Sequence, residues 1–235
     1  VPEAIEVTID YVGGTTNEII GSEVEFAVSD TELSIEEAKA LEFSGRGCGE
    51  KLSPEKREEG YYMYFRVAAT DANFASEITK VYVGPKGAVP NMAIDYYSEK
   101  TYRMLGSDIV YGYSEDEMIY VGNYDYLVIT PGQDVYAYRM GSDSNQTFAS
   151  DVVHVVVPER PVIENLVVEN ETIKGKGDGK VSGLIEGVKY RWHPANATWD
   201  YYNQVLTEDH IYVGAGEWQI RIQAVDFASF ASEYY

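Results

Sequence analysis

Three histidines, one cysteine and 39 acidic side chains are where chemistry would have to be found in this 235-residue chain. Hydrolytic catalysis by a triad needs a nucleophile whose proton passes to a His that a carboxylate orients. His154 lies within the valine-rich run Val152–Val157, His193 precedes Pro194, and His210 follows Asp209. No Gly-x-Ser-x-Gly elbow accompanies them, and Cys48 stands far from every His, so no nucleophilic machinery is predicted. The run Gly175-Lys176-Gly177-Asp178-Gly179-Lys180 has the glycines of a phosphate cradle. It lacks the Ser or Thr that should follow the lysine and the helix that should follow the loop, and a hairpin turn explains it. Carboxylate runs such as Glu115-Asp116-Glu117 are what any chain this acidic contains, and they read as a solvated face and not as a glycosidase dyad. No catalytic residue is assigned and no enzyme is expected.

Two binding chemistries fit the side chains better. Acidic sandwich domains can hold a hard cation such as calcium through carboxylate and carbonyl oxygens. The positions for it are Asp71 with Asn73, Asp143 with Asn145, and Asp226, although no EF-hand spacing is present. Sugar rings stack on aromatic faces set beside polar groups. Tyr96-Tyr97, Tyr124 with Tyr126, and Trp199-Asp200-Tyr201-Tyr202 offer this, and Trp199, Tyr201 and Tyr202 form the best glycan patch.

The formal net charge of -21 disfavours nucleic acid and anionic membranes, both of which reward basic surfaces. No apolar run reaches membrane-spanning length, so no direct insertion is expected. One cysteine excludes an intrachain disulfide, which suits a cytosolic protein or an exported protein without disulfides. The opening Val1-Pro2 reads as a mature end after a removed export signal. A monomer is expected.

The elements that must carry these residues recur three times. Arg66-Val67-Ala68-Ala69-Thr70-Asp71-Ala72-Asn73-Phe74-Ala75-Ser76-Glu77 returns as Arg139 to Asp143 leading to Phe148-Ala149-Ser150-Asp151. It returns again as Arg221 to Asp226 leading to Phe230-Ala231-Ser232-Glu233. The Phe positions are 74 and 82 residues apart, the size of a small β-sandwich and far longer than a solenoid repeat. Within each copy, Arg66, Arg139 and Arg221 can lay their stems across a sheet and place their heads on a carboxylate. Asp71, Asp143 and Asp226 can satisfy turn N–H groups, and Phe74, Phe148 and Phe230 are expected to plug the core from the loop.

Period-two alternation in Ser22–Val28, Tyr61–Ala68 and Val135–Met140 predicts half-buried strands. Tyr124–Ile129 reads as a further strand, and Val152–Val157 as one buried on both faces or at a domain junction. The one helix signal is the capping box of Ser34 and Glu37, followed by Ile35, Ala38 and Leu41. Gly84-Pro85-Lys86-Gly87 and Pro158-Glu159-Arg160-Pro161 read as short, stiff linkers.

Together, the aromatic strand, the Arg-x-x-Ala-x-Asp segment, Phe-Ala-Ser and the valine-rich strand resemble tandem Ig-like repeats of bacterial surface and secreted proteins. That resemblance implies an all-β chain of three Ig-like or fibronectin-III-like sandwiches in an elongated array, with one short helix in the first. The domains would span residues 1–87, 88–159 and 160–235, the last without its closing strand. It further implies a non-catalytic spacer or adhesion module, outside the cell or on its surface, that binds a protein or a glycan. The alternative is a carbohydrate-binding accessory region of a secreted multidomain hydrolase.

Overall fold

The computed structural model describes residues 1–197 and 202–235. The chain is all-β with one short helix. The first repeat contains β1 (Ile9–Asp10), β2 (Thr15–Thr16), β3 (Ile19–Ile20), β4 (Val24–Ser29), α1 (Ile35–Ala38), β5 (Gly45–Arg46), β6 (Glu50–Lys51), β7 (Tyr61–Val67) and β8 (Thr79–Val83). The second contains β9 (Ile94–Asp95), β10 (Lys100–Thr101), β11 (Ile109–Gly112), β12 (Tyr120–Val121), β13 (Val135–Arg139) and β14 (Val153–Val155). The third contains β15 (Val167–Glu169), β16 (Gly179–Ser182), β17 (Lys189–Pro194), β18 (Tyr202–Val205), β19 (His210–Val213) and β20 (Trp218–Ile222).

Alternation builds the first sandwich. The sheet β5-β4-β7-β8 faces the pairs β1-β2 and β3-β6. Tyr61, Met63 and Phe65 of β7 point inward at every second position and meet Val7, Ile9, Tyr11 and Ile20 in one core. The intervening Tyr64 is buried as well, because it has a task on the other face. Its hydroxyl accepts the Leu33 N–H (2.7 Å) and donates to the Leu33 carbonyl (3.2 Å), which pins the chain entering α1. The capping box forms as expected: Ser34 Oγ accepts the Glu37 N–H, and Glu37 Oε2 accepts the Ser34 N–H at 2.8 Å. Two otherwise orphaned donors are thereby satisfied on a helix only four residues long.

The third sandwich is built the same way from β15-β16-β19 and β18-β17-β20. Val181, Ile211 and Val213 of one sheet pack on Tyr190, Trp192, Ile220 and Ile222 of the other. In the second repeat, β12-β11-β13-β14 form one sheet and β9-β10 a separate hairpin.

The chain divides into two compact units. One comprises Val1–Pro90, Ser107–Gly122 and Tyr136–Val153; the other comprises Asn91–Gly106, Asn123–Val135 and His154–Tyr235. The second sequence repeat therefore contributes to both.

Two strand expectations are met only in part. Tyr124–Ile129 makes only isolated bridges, Leu105 to Asp125 and Lys100 to Val128. Tyr124 adopts φ 56°, a left-handed conformation that a strand does not accommodate. The run Val152–Val157 does hold a strand, β14, but it is not buried on both faces: β14 is the outer strand of its sheet, His154 and Val156 are exposed, and only Val157 is fully covered. The boundary between the two compact units falls within the run, between Val153 and His154, as the junction reading expected.

Candidate functional site

The groups that suggested chemistry are dispersed or committed to structure. Cys48 is an exposed free thiol. The ring of His154 contacts Asp134 (Nε2 to Oδ2, 2.7 Å). His193 is buried with Nδ1 2.8 Å from the Pro194 carbonyl, and its ring meets Tyr234 edge-on. Glu115–Glu117 is a single 3-10 turn on the surface. Among the described residues, no group of three or more His, Cys, Asp or Glu side chains converges as a metal site would require. The glycine run near Gly175 is occupied by the protein's own anion: Glu171 accepts the N–H groups of Gly175 and Gly177. Those bonds hold the Glu171 carboxyl below its ordinary value.

The three Phe-Ala-Ser loops are where the structure is most specific. In the first, Ser76 Oγ accepts the Val67 N–H (2.9 Å) and donates to the Glu77 carbonyl (2.8 Å), while the Ser76 N–H donates to the Val67 carbonyl (3.1 Å). Ser150 does the same with Arg139 (2.9 and 2.9 Å) and Asp151 (2.8 Å). Ser232 repeats it with Ile222 (2.8 and 3.1 Å) and Glu233 (2.7 Å). All three serines are buried. Each hydroxyl supplies a missing rung at the edge of its strand, where the chain leaves the sheet before returning. We call this arrangement the serine clip.

The phenylalanines behave differently from one another. Phe148 is 0% exposed and joins the core made by Val7, Ile9, Tyr11, Ile20, Met63 and Phe65, its ring 5.0 Å from that of Tyr11. Thus the loop of the second copy fills the sandwich of the first. Its backbone is stitched to the linker, with the Phe148 N–H donating to the Pro85 carbonyl (2.9 Å) and the Gly87 N–H to the Phe148 carbonyl (2.9 Å). Only glycine fits at Gly84, where a Cβ would lie 1.7 Å from the Gln146 carbonyl oxygen. The linker cation Lys86 pairs with Asp151 at 2.8 Å.

Phe230 follows the same plan. It is 0% exposed and meets Tyr96 edge-on at 4.8 Å, and the linker cation Arg160 pairs with Glu233 (3.3 Å) and Glu99 (2.8 Å). Cations lie over both rings, Lys56 5.7 Å above Phe148 and Arg160 5.9 Å above Phe230. Phe74 departs from the expectation of a core plug, because it is 81% exposed.

The other motif residues divide as follows. Arg66 places Nε 2.7 Å from Glu25, which lies opposite it in register on β4, and its guanidinium stacks over Phe43 at 3.8 Å. Arg139 pairs with Asp108. Arg221 has Arg191 opposite it instead of a carboxylate and lies over Tyr234 at 4.7 Å. The turn N–H groups do not go to Asp71, because Thr70 Oγ1 takes those of Ala72 and Asn73 (3.3 and 3.1 Å). Asp143 accepts the Tyr11 N–H instead (2.8 Å). Asp71, Asn73, Asn145 and Asp226 are exposed. The five calcium positions are therefore spread over three loops, one on each copy.

Two of the hollows in the third repeat lie on its strands. A cavity of about 640 Å³ opens beside β15 and β20, lined by Leu166, Val168, Lys174, Val213, Trp218 and Ile220 among others. A smaller cleft, about 320 Å³, lies at the edge strands and is lined by Tyr202, Gln204, Glu208, His210 and Tyr212 over Trp192. Tyr202 is 54% exposed with its ring stacked on Trp192 (5.5 Å, 16°). His210 Nε2 lies 2.9 Å from Glu208. Of the three glycan candidates, Trp199 and Tyr201 lie outside the described residues, and Tyr202 is on this cleft. Sequence reading missed Gln204, His210 and Tyr212. Their signal was the period-two spacing of Tyr202 with Gln204 on β18 and of His210 with Tyr212 on β19.

No protein-family model matches the chain, and no curated protein does. Among solved structures, the chain is similar to the crystal structure of the FN1–FN3 domains of chicken CNTN1. The identity is 13% and the TM-score 0.26, with 90% of this chain and 88% of that one covered.

Proposed function

We propose that this chain is a non-catalytic spacer and adhesion module of a bacterial surface or secreted protein. Its repeats, at residues 1–87, 88–159 and 160–235, would act as successive β-sandwich domains, and the third would bind glycan. The observation that carries the binding reading is the cleft at β18 and β19. It places two exposed tyrosine rings, Tyr202 and Tyr212, beside the amide of Gln204, the carboxylate of Glu208 and the imidazole of His210. A pyranose presents one apolar face and a rim of hydroxyls, and this set offers a stacking platform with donors and acceptors around it. The spacer reading is supported by the commitment of His154, His193, the clip serines and the motif arginines to structure.

The test is a glycan array probed with the wild-type chain and with Tyr202→Ala. The reading expects retention of at least one glycan class, reduced about tenfold or more by the substitution. Tyr202 is half exposed, so the variant keeps its fold. An array on which the wild type retains nothing sinks the glycan reading.

A further inference from the structure

The large cavity of the third repeat corresponds in position to the place that Phe148 fills in the first. The first strand of each repeat aligns as Val7-Thr8-Ile9-Asp10-Tyr11 with Leu166-Val167-Val168-Glu169-Asn170, and β7 aligns with β20 through Arg66 and Arg221. In that alignment Val7, Ile9, Met63 and Phe65 become Leu166, Val168, Trp218 and Ile220. The first four belong to the core that Phe148 completes. The second four line the cavity. Tyr11, which touches the Phe148 ring, becomes Asn170, a smaller side chain that leaves room. Lys174 at the cavity wall stands in for the cation that Lys56 and Arg160 set over the other two rings.

We propose that this cavity is a socket for a Phe-Ala-Ser loop, and that in this chain its occupant is the Phe74 loop of a second copy. Two of the three loops are seated in a neighbouring repeat, in both cases with an aromatic contact to the Tyr that ends an Ile-Asp-Tyr run. The third is built on the same serine clip and presents its ring to solvent. The chain therefore offers one unused plug and one open socket of matching kind. Because plug and socket are different surfaces, the contact is heterologous, and repeating it links copies head to tail, in a string or in a closed ring. The inference does not rest on glycan binding, since the cleft at Tyr202 is a separate hollow.

Sedimentation velocity over a dilution series tests it, with the chain Val1–Tyr235 itself. The expected result is a sedimentation coefficient that rises with concentration. Phe74→Ala and Val168→Glu should each weaken this by roughly 100-fold, the effect of losing a central aromatic anchor. Both positions are solvent-exposed, Phe74 at 81% and Val168 at 64%, so both variants fold, and a thermal melt verifies that. An equimolar mixture of the two variants should form one-to-one pairs and grow no further. One variant retains the socket and the other retains the plug. A wild type that stays monomeric at every concentration overturns the proposal, as does association that survives Phe74→Ala.

Discussion

The loops after β7 and after β13 share a sequence and a hydrogen-bond pattern, yet one ring lies on the surface and the other in a core. Ser76 and Ser150 make the same three backbone contacts to within 0.2 Å (2.9, 2.8 and 3.1 Å against 2.9, 2.8 and 2.9 Å). Phe74 is 81% exposed and Phe148 0%. The clip is thus a local device, complete within one repeat. The plug depends on what the rest of the chain sets against it. One motif does two separable jobs, closing a sheet and joining a neighbour.

The largest expected effect separates those jobs directly. Phe148→Ala should cost about 3–5 kcal/mol, because it removes a fully buried ring from a packed core and leaves a cavity. Phe230→Ala should behave alike. Phe74→Ala, in dilute solution, should lie within about 0.5 kcal/mol of wild type. Urea denaturation of the three variants makes the measurement. A Phe74→Ala cost equal to that of Phe148→Ala would show that the first loop is covered after all, and the distinction would collapse.

A smaller effect tests the shared half. Ser76→Ala, Ser150→Ala and Ser232→Ala each leave a strand N–H without its acceptor, at a cost of about 1–3 kcal/mol. Because the clip is the same in all three loops, the three costs should agree within a factor of about two even though the Phe costs do not. A Ser76→Ala variant as stable as wild type would mean that the clip depends on the seated ring.

How much of this could be read from the sequence follows the same division. The capping box at Ser34 and Glu37 involves neighbours three residues apart, and it was legible because helix starts obey local rules. The alternation of β4, β7 and β13 was legible for the same reason. The recurrence of Phe-Ala-Ser marks the loops, and within it Arg, Asp and Phe carry the conspicuous side-chain chemistry. Serine, the one residue that acts identically in every copy, was overlooked because a hydroxyl shows no periodicity of its own. The fate of Phe74 was not legible, since burial of a loop ring is decided by residues far away in sequence, as Tyr11 is from Phe148 and Tyr96 from Phe230. The cleft at Tyr202 joins strands of two sheets, β18 and β19; spacing within each strand marks its own pair of residues, but not that the two pairs meet.

The smallest effect concerns the loop that precedes β16 in the third repeat, against its counterpart between β1 and β2 in the first. In the first repeat Asp10 accepts the Gly13 N–H at 2.7 Å and the turn is short. In the third, Asp178 must hold a longer excursion. It bonds Lys176 Nζ (2.7 Å), Thr172 Oγ1 (2.6 Å) and the Thr172 N–H (3.0 Å). These bonds favour the carboxylate, Lys176 most of all, and lower the Asp178 pKa to about 2. The unfolded value is about 3.9. A depressed folded value means that the stabilisation is fully present above about pH 4 and is lost as pH falls through about 2. The side chain is partly open to solvent, so the effect should be local and weakened by salt. In an NMR titration, Asp178 should have its midpoint near 2, and Lys176→Ala should move that midpoint up toward the ordinary aspartate range. A wild-type midpoint already in that range would mean that Thr172 and Lys176 do not hold the carboxylate. The longer turn would then be no better braced than the short one.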